Sequence, residues 1–123
     1  MMSATRRIAQ IALGVPFMVL GYRTAADPGP RVDAAAELGL PDPETLTRVN
    51  GSAMVLGGAA LALNLLPRAA AVGLAASLVP TTLAGHPFWK ADDDATRQGQ
   101  QIHALKNLGL IGGLLAFAAS RSR

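Results

Sequence analysis

The sequence contains no cysteine. That excludes disulfides, and it excludes thiol chemistry performed by this chain alone. Aromatic residues make up only 4% of it although 50% is hydrophobic, so its apolar mass is chiefly Ala, Leu and Val, with 13 glycines interspersed. Also missing is the alternation of apolar and polar positions that lets a small soluble domain keep one face wet. Residues 8–20, 53–66, 69–84 and 108–119 carry no charged side chain at all. The net charge of +3 comes from arginines near the ends of these runs, not from a basic stripe, which speaks against a nucleic-acid role. There is no internal repeat and no haem, flavin or iron–sulfur motif. With 123 residues the chain has room for one domain, taken here as residues 1–123.

What is present reads as an all-α integral membrane protein, a four-helix bundle with a short interfacial helix between helices one and two. Arg6 and Arg7 before an apolar run resemble a secretory leader, but three further apolar segments follow, so the first helix is read as retained. The spans are expected at residues 6–24, 43–66, 68–84 and 95–120. Pro16 lies inside the first and predicts a kink. Residues 31–40 are too short and too charged to span. Asp42, Pro43 and Glu44 form a helix start, with Asp42 as cap and Pro43 at the first helical position. Pro80 interrupts the third span, where Thr81 and Thr82 are placed to serve the backbone groups it frees. Asp94 is expected to cap the fourth span. Gly109 and Gly113 offer a packing face, inside the bundle or between subunits.

With the N-terminus inside, a bare count of Lys and Arg is tied at five on each side, with Lys106 set apart. The density of arginine in the short inner segments, and the pair just before helix one, break the tie toward both termini being cytoplasmic. All 8 acidic residues then lie on the outer side.

Polar groups at membrane depth are costly and each needs a reason. Lys106, in the fourth span, either snorkels to the headgroups or faces a pocket. Asn107 beside it can bond a neighbouring helix. Arg48 is a headgroup anchor, a partner for the acidic loop, or a site residue. Asn50 points to nearly the opposite side of helix two from Arg48, and can serve as interhelical glue. His86 is a solvated loop histidine or a proton relay, and Trp89 an interfacial anchor or a lid. Asp92, Asp93 and Asp94 match no metal-ligand spacing with His86 or His103 and read as a solvated loop; no metal site is expected. Taken together, Arg48, Asn50, His86, Trp89, Lys106 and Asn107 come from three helices and lie toward the outer leaflet. A pocket there would suit a quinone, another amphiphile with a carbonyl or anionic head, or a lipid headgroup.

The patterns RIA-IALGVPF in helix one, RVNGSAMVLGG in helix two, HPFW after helix three and LKNLGLIGG in helix four resemble the DoxX family of bacterial membrane proteins. The resemblance implies a membrane subunit of a quinone-linked oxidoreductase system in the cytoplasmic membrane. His86 and Lys106 would then be the catalytic donors, and Arg48, Asn50, Trp89 and Asn107 would hold the quinone. The partners expected are membrane lipid, an extracytoplasmic or membrane oxidoreductase, and, through the Gly109 and Gly113 face, a second copy of the chain. The alternatives are a non-catalytic scaffold that recruits an extracytoplasmic enzyme, and, ranked last, a small transporter or lipid-binding protein.

Overall fold

The computed structural model describes residues 3–85 and 91–120. Among these, every element is an α-helix: α1 (Ala4–Ala26), α2 (Pro30–Glu37), α3 (Pro43–Ala62), α4 (Pro67–Gly85) and α5 (Asp94–Ala119).

Local chemistry explains most of the boundaries. Ser3 starts α1 by accepting the Arg6 amide at 3.1 Å. Pro16 lies within α1 and does not end it. Gly29 (φ 46°) and Gly39 (φ 78°) bracket α2 in backbone regions that favour glycine. Pro43 takes the first turn of α3, as expected, but Asp42 gives no side-chain cap. Its φ of 46° and ψ of 62° place it in the left-handed region, which Asp tolerates better than most residues, and not in the extended region usual before proline.

Helix α3 stops at Ala62, a turn short of the expected residue 66. Asn64 (φ 61°) and Leu66 (φ 44°) leave the helical region. Leu66 precedes Pro67 and is barred from continuing the helix, while Pro67 itself opens α4. In α4, Thr81 Oγ1 donates to the Ser77 carbonyl at 2.8 Å and Thr82 Oγ1 to that of Leu78 at 2.6 Å. The carbonyl left unbonded by Pro80 would be that of Ala76, so these hydroxyls serve its neighbours instead.

The cap of α5 is Asp93, not Asp94, which is already helical. Asp93 accepts the Thr96 amide at 2.7 Å and the Thr96 hydroxyl at 2.9 Å. The amide first, and then the hydroxyl, hold its pKa below the ordinary 3.8. A depressed carboxyl contributes stability that is complete above its unfolded pKa and is lost as pH falls through the lower folded value. An NMR titration of the Thr96 amide should therefore show a midpoint below 3.8. A midpoint at the ordinary value would mean that the cap does not form.

The helices pack α1 on α3, α3 on α4 and α4 on α5, and α2 leans across α3 and α4. The α1–α3 seam is antiparallel and built from small residues. Gln10, Gly14, Phe17, Gly21 and Thr24 are buried on α1, and Thr47, Gly51, Met54, Gly58 and Leu61 on α3. Both sets step by four and three residues, the spacing of one helical face. Leu74, Leu78 and Leu114 extend the core through α4 and α5. At the end where the termini lie, Arg6 stacks 4.4 Å from the centroid of Phe117 and donates to Ser120 at 3.1 Å. Arg68 donates to the Ala118 carbonyl at 2.7 Å.

The distribution of side chains is inverted relative to a water-soluble domain. Gln10 is 1% exposed, whereas Leu56 is 72% and Leu105 66% exposed. Helices α1 and α5 are each long and apolar enough to cross a membrane. A Cβ placed on Gly109, Gly112 or Gly113 would meet nothing within 4 Å, so this face serves no close packing among the described residues.

Candidate functional site

At the end of the molecule remote from the termini, α2 lies over the seam between α3 and α4. Beneath it is a cavity of about 420 Å³, within the range of small-molecule sites. Ala34 and Leu40 form its roof, Ala53 and Met54 its floor, and Pro80 a side. Alanine is what leaves the space open: larger side chains at 34 and 53 would fill it.

Five polar side chains interrupt these walls: Thr24, Arg31, Thr47, Asn50 and Thr81. The hydroxyl protons are already committed. Thr24 donates to the Leu20 carbonyl at 2.9 Å, Thr47 to that of Pro43 at 2.7 Å, and Thr81 to that of Ser77. Only their oxygen lone pairs are left for a ligand. Asn50 bridges two helices, its Nδ2 donating to Thr81 Oγ1 at 2.9 Å and its Oδ1 accepting from Ser77 Oγ at 2.7 Å. The remaining amide hydrogen has only the Met54 sulfur at 3.9 Å, a weak acceptor. Among the described residues it is the wall's one lightly used neutral side-chain donor. Arg31 is exposed and stands at the rim.

Of the six residues singled out from sequence, the structure brings one, Asn50, into this cavity. Arg48 points away, as its two-residue offset from Asn50 requires. It donates to the Ala25 carbonyl at 2.7 Å, tying off the end of α1, and pairs with Glu44 at 3.3 Å. Asn107 donates to Thr82 Oγ1 at 3.0 Å, joining α5 to α4. Lys106 is exposed on α5, at about the level of the cavity but across α4 from it, and does not line it. His86 and Trp89 lie outside the described residues. Among the described residues no three His, Asp or Glu side chains converge as a metal site would require.

Arg31, Thr24 and Thr47 were not singled out from sequence. A signal for Arg31 exists: residues 31, 34 and 35 share one face of a short helix, which puts a cation among alanines. The threonines carry no such signal, since a hydroxyl bonded back to its own helix looks the same in any apolar span.

Set against known families, residues 7–87 match the DoxX family model. The match covers α1 to α4 and ends before α5, so the LKNLGLIGG pattern lies beyond it. No curated protein and no solved structure matches the chain.

Proposed function

The chain belongs to the DoxX family, and from that premise we propose that it is an integral membrane subunit of a quinone-linked oxidoreductase system. It crosses the bacterial cytoplasmic membrane four times, with both termini in the cytoplasm. The inverted surface supports this reading: large apolar side chains facing outward suit lipid, and small residues at helix seams suit packing without a hydrophobic drive. Helices α3 and α4, of 20 and 19 residues, are about 30 Å long at ~1.5 Å per residue, enough for the hydrocarbon core. Arg6 and Arg68 gather at the end that carries the termini, as the positive-inside rule expects.

The observation that carries the function is the cavity beneath α2. Its apolar walls suit the ring and chain of a quinone, and the spare Asn50 amide hydrogen suits a ring carbonyl. A bound quinone would supply the two-electron acceptor chemistry. This chain's residues bind and orient it: Ala34, Ala53 and Met54 exclude water, and Asn50 positions one oxygen. The electrons come from a partner oxidoreductase, because a chain without cysteine or a redox-cofactor motif has no donor of its own. In this reading the donor to the ring carbonyl is Asn50, in place of the Lys106 or His86 expected from sequence. Lys106 is then a snorkelling residue.

The test is photolabelling of the purified protein in nanodiscs with an azidoquinone. Label should map to the α2 and α3 segments around Ala34 and Ala53 and be displaced by decylubiquinone. Ala34→Leu, which fills the cavity without touching Asn50, should abolish it. Asn50→Leu should weaken binding about three- to tenfold, the loss of one neutral hydrogen bond. Label spread over all lipid-facing residues, undisplaced and unchanged in Ala34→Leu, would sink the proposal.

One observation favours a second reading, the scaffold. Two of the three asparagines, Asn50 and Asn107, are engaged by hydroxyls of α4, which is what structural glue would look like. Absence of saturable quinone binding would return the function to that reading.

A further inference from the structure

We infer that the cavity beneath α2 also takes an anionic single-chain amphiphile, its hydrocarbon chain among the apolar walls and its head on Arg31. The inference rests on the reading of this cavity as a ligand site, but it uses a different residue and a different ligand chemistry.

The argument starts from where α2 puts its charges. Arg31, Ala34 and Ala35 lie at i, i+3 and i+4, on one face, and all three line the cavity. Asp33 and Glu37 do not line it. A short amphipathic helix would ordinarily turn all its charges from the apolar side. Here the acids are turned away and the cation is not. Among the described residues no other wall contributes an acid, so none of them neutralises Arg31 within the cavity. The ion pairs described, Arg48–Glu44 and Arg97–Asp94, leave it out.

The cavity thus has two polar places of different character. The inner one is the neutral Asn50 amide, which suits a carbonyl. An anion there would lose its water without gaining a counter-charge, a large penalty. The rim offers a guanidinium still in contact with water, whose planar fork can hold a carboxylate or phosphate by two parallel hydrogen bonds. An anionic head therefore sits at Arg31 and directs its chain inward. A ring carbonyl does the reverse, reaching Asn50 and leaving its chain toward the rim. Both occupy the same apolar volume, so the two ligands compete. The anionic head can belong to a free fatty carboxylate or to a membrane phospholipid that inserts one chain.

The experiment uses the full chain in phosphatidylcholine nanodiscs, with dodecanoate and dodecanol as probes and azidoquinone labelling as readout. Dodecanoate should displace the label saturably, and dodecanol should do so at least about tenfold less well. In Arg31→Gln the ratio of dodecanoate to decylubiquinone affinity should fall about tenfold, the low end for a hydrogen bond to a charged group. Arg31→Lys should fall between, keeping the charge and losing the fork. Repeating the titration with phosphatidylglycerol in the disc separates the sources. If the lipid itself is the occupant, dodecanoate weakens in the wild type and not in Arg31→Gln; if the free carboxylate is, its affinity is unchanged. Equal displacement by dodecanoate and dodecanol, or an unchanged affinity ratio in Arg31→Gln, overturns the inference. Should decylubiquinone still protect the cavity in that case, the quinone reading survives alone. Should dodecanoate bind through Arg31 with no displaceable quinone label, measured directly with a spin-labelled fatty acid, this inference survives and the quinone reading falls.

Discussion

Replacing Gly58 by alanine is expected to destabilise the protein by about 1–3 kcal/mol, the cost of overpacking a tight seam. Gly58→Leu should prevent α1 and α3 from pairing. A Cβ on Gly58 would lie 2.5 Å from the Gly14 carbonyl oxygen and 3.1 Å from Met18. The reciprocal Cβ on Gly14 would strike the Gly58 carbonyl. One heptad along, Gly21 and Gly51 repeat the arrangement, with 2.5 Å to the Gly51 oxygen and 2.7 Å to the Gly21 oxygen. The obstructing atoms are backbone, which cannot rotate aside, so the helices must separate. In lipid there is no hydrophobic gain to compensate, because the association rests on close packing itself. The control is Gly112→Ala, where a Cβ meets nothing within 4 Å. There alanine should be neutral or stabilise by up to ~1 kcal/mol through helix propensity. Thermal unfolding in detergent followed by circular dichroism measures both. Equal midpoints for the two variants would show that the seam does not hold the fold.

The second large effect belongs to Gln10. It is 1% exposed, and its Nε2 donates to the Leu61 carbonyl and to Asn64 Oδ1, each at 3.0 Å. Those bonds tie α1 to the place where α3 stops, so Gln10 secures the turn that Pro67 forces. Gln10→Ala should cost about 1–3 kcal/mol, because the buried Leu61 carbonyl loses a donor that lipid cannot replace. The Oε1 of Gln10 is itself buried with no partner among the described residues. Gln10→Met removes that unmet acceptor and keeps the volume, and should therefore cost less than Gln10→Ala. A double-mutant cycle with Asn64→Ala isolates the direct bond, with a coupling of about 1 kcal/mol expected. A coupling of zero would mean that the bond to Asn64 contributes nothing and that Gln10 acts through the Leu61 carbonyl and by filling space.

Much of the architecture could be read from residue order because its determinants are local. Proline, glycine and capping residues act within one turn, so the short helix before α3, the start at Pro43 and the break at Pro67 were legible. The opposed directions of Arg48 and Asn50 followed from helical geometry alone. Where two local signals competed, the reading missed. Asp93 and Asp94 are both able to cap, and only the backbone reveals that Thr96 turns to Asp93. Residues 63–66 are apolar enough to continue α3, and the left-handed φ of Asn64 and Leu66 ends it instead.

The candidate site divides along the same line. An apolar chain with polar residues in each of its four long helices implies some polar cluster at depth, and that much is a property of composition and order. Which members meet is a property of how the helices are rotated about their own axes. The Gly14–Gly58 and Gly21–Gly51 contacts lock α1 against α3, and this rotation turns Asn50 toward α4 and Arg48 toward the end of α1. The tilt of α2 across α3 and α4 then opens the cavity and brings Arg31 to its rim. By itself, then, the sequence determined the helices, their order, the apolar exterior and the family. Only the tertiary structure decided which polar groups share a cavity, because helix rotation and tilt are set by contacts between residues far apart in the chain, and no short-range spacing encodes them.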